Sequence, residues 1–251
     1  MIGPLSYIGG KRAIAKPLIA LFPEHTTYVE AFAGGAQVFF RKEPSKVEVL
    51  NDLDGEIVNF YRVCQQHYEE LLRYFRFIVR SRAWHELLKK TDPSTLTDIQ
   101  RAARYMYLLK NSYAGLVLNL DYSANVTQPP SFNLERLPET IEATHKRLAR
   151  VQIESLPYEQ ILKRYDRPAT FFYLDPPYYD RKLYRFNLEP EDFATMAGRL
   201  KAVQGKFLMS LNDVPQVREL FRDFTIRDID LHYTASMTAG RRFQELIITN
   251  Y

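Results

Sequence analysis

Seven short runs rich in β-branched and aromatic residues punctuate this chain: Thr27–Phe32, Lys46–Leu50, Val151–Glu154, Thr170–Leu174, Phe207–Leu211, Thr225–Tyr233 and Glu245–Asn250. Helical patterns fall between several of them, over Glu191–Val203 and Val214–Phe221. Strands alternating with helices imply βαβ units, and therefore an α/β fold with a mostly parallel sheet. One interval breaks the rhythm. From Gly55 to Arg150 the pattern is mainly helical, with helices expected over Glu69–Phe77, Ile99–Lys110 and Pro138–Leu148. A stretch of that length exceeds any simple crossover and reads as an inserted helical subdomain.

The fourth run ends in Asp175-Pro176-Pro177-Tyr178. Open α/β sheets place their chemistry at this strand edge. Two consecutive prolines fix φ near −65° and supply no N–H, so the turn is stiff and its carbonyls stay free to accept. An acid, a carbonyl and a ring in one rigid turn suit an exocyclic amine on a flat base. Asp175 and the Pro176 carbonyl would accept its two N–H bonds, with Tyr178 stacked on the base. An ordinary strand-to-loop turn is the alternative.

A second turn is marked by glycines. Tyr28-Val29-Glu30-Ala31-Phe32 runs into Ala33-Gly34-Gly35-Ala36, with a helix expected from Gln37. Glycine at a strand-to-helix turn lets backbone approach a ligand closely. Asp52 follows the second run, placed either to accept ribose hydroxyls or to cap a helix. The GxGxxG pattern is absent, which disfavours nicotinamide and flavin cofactors. Gly9-Gly10-Lys11-Arg12 lacks the P-loop's other positions, so a P-loop ATPase is rejected and Lys11 is left as a salt-bridging or surface residue.

Composition narrows the classes further. The chain has 251 residues, a formal charge of +4 and one cysteine, Cys64, which excludes an internal disulfide or a CxxC metal site. Five histidines form no ligand cluster, and no GxSxG motif supports a hydrolase. No run approaches the ~18 apolar residues of a membrane span, and a signal-peptide core is absent. A reducing, cytoplasmic setting follows. Residues 61–110 carry ten basic side chains against five acidic ones, the footprint of a polyanion partner or a solvated helix face.

Taken in order, Tyr7-Ile8-Gly9-Gly10-Lys11-Arg12, Glu30-Ala31-Phe32-Ala33-Gly34-Gly35, Asn51-Asp52, the helical insertion and Asp175-Pro176-Pro177-Tyr178 closely resemble the Dam-type (D12 class, alpha group) DNA adenine N6-methyltransferases. Asn111-Ser112-Tyr113-Ala114-Gly115 and the terminal Arg242, Glu245-Leu246-Ile247 and Asn250-Tyr251 add to the likeness. The resemblance implies a Rossmann-like S-adenosylmethionine-dependent methyltransferase fold with a seven-stranded, mostly parallel sheet. Residues 1–54 and 151–251 would form the catalytic domain, and 55–150 the helical target-recognition domain.

It also implies that S-adenosyl-L-methionine lies against Tyr7, Gly9, Gly10, Lys11, Phe32, Ala33, Gly34 and Gly35. Asp52 would hold its ribose, Ser155 and Leu156 its adenine, and Asp175 would border it. Asp175, Pro176, Pro177 and Tyr178 would be catalytic, acting on a base flipped out of duplex DNA. Arg101 and Arg104 would contact phosphates, and Asn111, Ser112, Tyr113 and Asn119, with the loop Asp121–Phe132, would read bases. Gly115-Leu116-Val117-Leu118-Asn119 departs from the family's usual run, which implies a site other than GATC. The expected setting is a monomer without metal in a prokaryotic or phage-infected cell, with a cognate restriction endonuclease as a further partner. N4-cytosine methylation, methylation of RNA or protein glutamine, and a catalytically silent DNA-binding protein are the rival readings.

Overall fold

The protein is described by a computed structural model that covers residues 1–112, 115, 117–118, 120–124, 132–231 and 243–251. The strands β1 (Thr27–Glu30), β2 (Val47–Asn51), β3 (Gln152–Glu154), β4 (Thr170–Leu174), β5 (Lys206–Asn212), β6 (Thr225–Leu231) and β7 (Phe243–Thr249) form one sheet in the order β3-β2-β1-β4-β5-β7-β6. Pairing is parallel except at β7, which runs antiparallel to both β5 and β6. Each expected β run is present, although Tyr233, the expected end of the sixth, lies outside the described residues.

The helices are α1 (Ala15–Ile19), α2 (Gly55–Gln66), α3 (Tyr68–Phe75), α4 (Arg82–Lys90), α5 (Asp98–Asn111), α6 (Leu137–Leu148), α7 (Tyr158–Tyr165), α8 (Pro190–Lys201) and α9 (Pro215–Leu220). Alternation along the strands feeds two cores. Phe171 and Tyr173 of β4 join Tyr28, Leu50, Phe60, Tyr107 and Ile141 on one face of the sheet. Phe172 and Leu174 face the other way, onto Ile161, Phe193, Met196 and Val217 from α7, α8 and α9. The first core continues without a break from the sheet into α2–α6. The helical stretch 55–150 therefore shares its apolar interior with the sheet rather than standing apart from it.

Two local features differ from the expected pattern. No helix starts at Gln37: Ala36 takes a φ of 46°, and the chain closes a series of turns instead. The Gln37 side chain is buried and binds the N-terminal segment, donating to the Leu5 carbonyl at 3.1 Å and accepting the Gly3 N–H at 3.3 Å. In addition, α2 begins just after Asp54, whose carboxylate accepts the Glu56 N–H at 2.9 Å as its N-cap.

β1 lies between β2 and β4, so the strand order reverses between β1 and β4. That reversal opens a crevice outside their carboxyl ends, the natural binding position in an open α/β sheet. The turn after β1 and the turn after β4 both project into it.

Candidate active site

The crevice holds a pocket of about 240 Å³ whose lining includes Tyr7, Phe32, Gly34, Asp52, Asp175 and Tyr184. Gly34 has a φ of 46°, and a Cβ there would come within 3.0 Å of the Tyr7 ring. Gly9 has a φ of 72°, and a Cβ at that position would meet the Tyr184 hydroxyl at 2.3 Å. Both positions need the left-handed backbone that glycine adopts without strain. The Tyr7 and Tyr184 rings stack at 5.9 Å with planes 15° apart, which sets an aromatic wall over the glycine floor. Gly10, Lys11, Ala33 and Gly35 complete this side of the lining.

Asp52 sits at the far end of the floor. Its Oδ2 accepts the Gly34 N–H at 2.8 Å and its Oδ1 accepts the Asp54 N–H at 2.8 Å. The helix-cap role belongs to Asp54, so Asp52 is left facing the pocket. Burial raises its carboxyl to about 6, against backbone hydrogen bonds that pull it down. Asn51 braces the same edge: its side chain donates to the Ala31 and Leu156 carbonyls and accepts the Leu156 N–H, each at 2.9 Å. Leu156 lines the pocket with its backbone already paired to Asn51, whereas Ser155 is exposed and does not line it.

The turn after β4 forms the opposite wall. Lys11 Nζ is 2.8 Å from Asp175 Oδ1, and the Ser210 hydroxyl donates to that same oxygen at 3.1 Å. Among the described residues Oδ2 has no protein donor, and no backbone N–H binds the Pro176 carbonyl. Burial raises the Asp175 carboxyl above its ordinary value, while Lys11 pulls it back. Lys11 is only 5% exposed. Burial alone would lower its ammonium, but Asp175 and Glu245 more than offset this and hold it well above the ordinary lysine value. Tyr178 is fixed by its hydroxyl, 3.2 Å from Lys11 Nζ and 3.3 Å from Glu245 Oε1. Asn212, at the end of β5, accepts the Tyr179 N–H at 2.8 Å and so clasps the turn. Tyr179 itself packs on Phe193 at 5.2 Å, while Tyr184 and Phe186 line the pocket.

The residues expected to meet DNA are arranged differently. Arg104 is 6% exposed, and its guanidinium donates to the Leu88 carbonyl at 2.7 Å. Arg101 pairs with the buried carboxylate of Glu56. Both therefore brace the helical layer. Asn111 is fully buried, bonded to Arg80 Nε at 2.8 Å and to the Tyr107 carbonyl at 2.8 Å. The Ser112 hydroxyl donates to the Leu108 carbonyl at 2.6 Å. Tyr113, Asn119, Arg242 and residues 125–131 of the Asp121–Phe132 loop lie outside the described residues. Ahead of this loop, the Ile8 N–H donates to the Gly115 carbonyl at 3.1 Å, which ties Gly115 to the segment that lines the pocket. Two guanidinium groups lie against the Tyr122 ring, Arg80 at 5.3 Å and Arg82 at 4.8 Å from its centre. Arg73, Arg76 and Arg82 are exposed on the helical layer.

Two members of the site, Ser210 and Glu245, were not assigned any role from the sequence. Ser210 is flanked by apolar residues within β5, and Glu245 follows Gln244 just ahead of the apolar run Leu246–Ile248 of β7. Among the described residues no cluster of histidine, cysteine or acid side chains could hold a metal, and no helix is long and apolar enough to cross a membrane.

The family model of D12 class N6 adenine-specific DNA methyltransferases matches residues 7–235. The type II methyltransferase M1.LlaDCHI of Lactococcus lactis subsp. cremoris is 28% identical over 98% of this chain and 94% of its own length. The type II methyltransferase M.CviBI of Paramecium bursaria Chlorella virus NC1A is 23% identical over 98% of each chain. The DNA N-6-adenine-methyltransferase of Escherichia phage P1 is 21% identical over 88% of this chain and 31% of its own.

Proposed function

Because the chain belongs to the D12 class N6 adenine-specific DNA methyltransferases, we propose how its pocket divides the methyl donor from the target base. The reaction is methyl transfer from S-adenosyl-L-methionine to the N6 amine of adenine in DNA, with S-adenosylhomocysteine as the leaving group and one amine proton released. The donor supplies an electrophilic sulfonium methyl. The residues present fit it: the backbone at Gly9 and Gly34 leaves no room for a side chain, and Asp52 keeps acceptor capacity for ribose hydroxyls beyond its two backbone bonds. Tyr7, Phe32 and Leu156 give the apolar walls a flat base needs.

The target adenine fits the Asp175 wall. Its amine is a poor nucleophile because the lone pair is delocalised into the ring. Asp175 Oδ2 and the Pro176 carbonyl accept its two N–H bonds and favour a pyramidal nitrogen, while Tyr178 stacks on the base. The protein supplies alignment and electrostatics, and the base must leave the duplex stack to reach them. One observation carries this reading: Lys11 and Ser210 both bind Asp175 Oδ1, which leaves Oδ2 and the adjacent carbonyl as a fixed acceptor pair.

Residues 1–54 and 151–251 carry the chemistry in this account, and 55–150 the DNA recognition. Arg73, Arg76 and Arg82 take the phosphate role, and the loop around Tyr122 takes the base-reading role. The enzyme works as a monomer in the cytoplasm of a prokaryotic or phage-infected cell. A restriction endonuclease partner is supported by the two relatives named type II methyltransferases. Incubation with radiolabelled S-adenosylmethionine and unmethylated duplex DNA, followed by nucleoside analysis, tests the assignment. Label in N6-methyladenine supports it, and label confined to N4-methylcytosine, RNA or protein contradicts it.

A further inference from the structure

Glu245 lies within β7, is 2% exposed and has apolar neighbours along the strand at Leu246, Ile247 and Ile248. The chemistry above requires one carboxylate, one carbonyl and one ring. It has no need of a second buried acid. Yet Glu245 Oε1 lies 2.7 Å from Lys11 Nζ and accepts the Tyr178 hydroxyl at 3.3 Å. Its Oε2 is buried with no hydrogen-bond partner among the described residues. Two carboxylates thus share one ammonium. Such an arrangement leaves a surplus negative charge in the interior, which an apolar residue at this position would avoid.

The geometry shows what the surplus accomplishes. A lysine ammonium has three N–H donors and a flexible stem. With Asp175 as its sole acid, Lys11 would be restrained otherwise only by the Gly9 carbonyl at 3.4 Å and the Tyr178 hydroxyl at 3.2 Å, and could bridge both oxygens of that carboxylate, occupying the one left for substrate. Glu245 binds the same ammonium at 2.7 Å and so holds it shared by the two acids. The same oxygen receives the Tyr178 hydroxyl, which fixes the tilt of the ring. We infer that Glu245 is a positioning residue for methyl transfer: it restrains Lys11 and Tyr178 so that Asp175 presents a free, charged oxygen to the target amine. This rests on the reading of Asp175 as the amine acceptor.

The test uses the full chain, tritiated S-adenosylmethionine and unmethylated bacterial genomic DNA as substrate. Glu245→Gln keeps shape and removes charge. Its rate is expected to fall roughly 10–100-fold, the scale of a small misplacement near the chemistry, with S-adenosylhomocysteine affinity unchanged within about two-fold. In a Lys11→Met background the effect reverses sign. There Glu245→Gln removes an unpaired acid from beside Asp175 and raises the rate. An equal loss in both backgrounds, or no loss in either, overturns the inference.

If Lys11→Met does not fold, Tyr178→Phe replaces it. Its loss and that of Glu245→Gln should combine to less than their product, and a full product overturns the inference. Asp175→Ala separates this inference from the one beneath it. An active Asp175→Ala protein removes the reading of Asp175 as acceptor. An inactive one alongside wild-type turnover by Glu245→Gln removes the role of Glu245 alone.

Discussion

The Gly34 N–H donates to Asp52 Oδ2 at 2.8 Å, so the turn after β1 and the acid after β2 are one hydrogen-bonded unit across the floor of the pocket. Asp52→Ala should therefore weaken S-adenosylhomocysteine binding by about 1.5–3 kcal/mol, the worth of a hydrogen bond to a charged acceptor. DNA affinity should change far less. Isothermal titration calorimetry with each ligand checks both halves, and unchanged cofactor affinity would leave Asp52 a purely structural acid.

The same acid sets a pH dependence. Burial holds the folded Asp52 at about 6, above its ordinary value of 3.8. The folded chain thus keeps this proton more tightly than the unfolded one, and the stability contributed by Asp52 falls as pH rises across that window. Cofactor binding runs the other way, because the ionised carboxylate is the better acceptor for hydroxyl donors. Affinity for S-adenosylhomocysteine should rise from pH 5 to pH 7 in the wild type and stay flatter in Asp52→Ala. Parallel profiles for the two proteins would show that another group is responsible.

Gly34→Ala tests the glycine floor. A φ of 46° and a Tyr7 ring 3.0 Å from the added carbon leave the methyl group no relaxed place. The backbone conformation alone costs an L-residue about 1–2 kcal/mol, and Tyr7 must also move from its stack on Tyr184. Weaker cofactor binding and a lower Tm are expected together. Wild-type values for both would mean that the turn adapts without strain.

The proposed DNA-facing surface gives a contrast between two sets of arginines. Arg76→Gln with Arg82→Gln should weaken binding to all duplex sequences. The slope of log affinity against log salt should become shallower by about one for each phosphate that is no longer neutralised. Arg104→Gln should instead lower stability by about 1–3 kcal/mol, because the buried Leu88 carbonyl loses its short side-chain donor and keeps only the longer Thr91 N–H contact at 3.3 Å. Salt titrations and thermal unfolding separate the two outcomes. A normal salt slope in the double variant would place the phosphate-binding surface elsewhere.

How much of this was legible in the chain depended on how local each signal was. The Asp175 turn, the Gly34 turn and Asp52 each follow an apolar strand within a few residues, so the sheet edge could be read directly, along with all seven strands. The helix expected from Gln37 failed because Ala36 turns through positive φ and Gln37 is drawn into bonds with Gly3 and Leu5. Arg101 and Arg104 looked like a basic surface. Composition carries the sign of a charge but not the Glu56 carboxylate or the Leu88 carbonyl that binds it. Ser210 and Glu245 reach Asp175 and Lys11 only through the β4–β5–β7 pairing, a relationship that no spacing along the chain records.

Asp175→Ala is the most direct measurement. Purified wild-type and variant proteins would be compared for N6-methyladenine formed on unmethylated duplex DNA, with folding checked by circular dichroism and cofactor binding by calorimetry. Removing a preorganised hydrogen-bonding group at the reacting centre costs ~10²–10³ in rate, and the account predicts a loss at least that large in a folded variant that still binds S-adenosylhomocysteine. Near-normal N6-methyladenine formation by folded Asp175→Ala would contradict it.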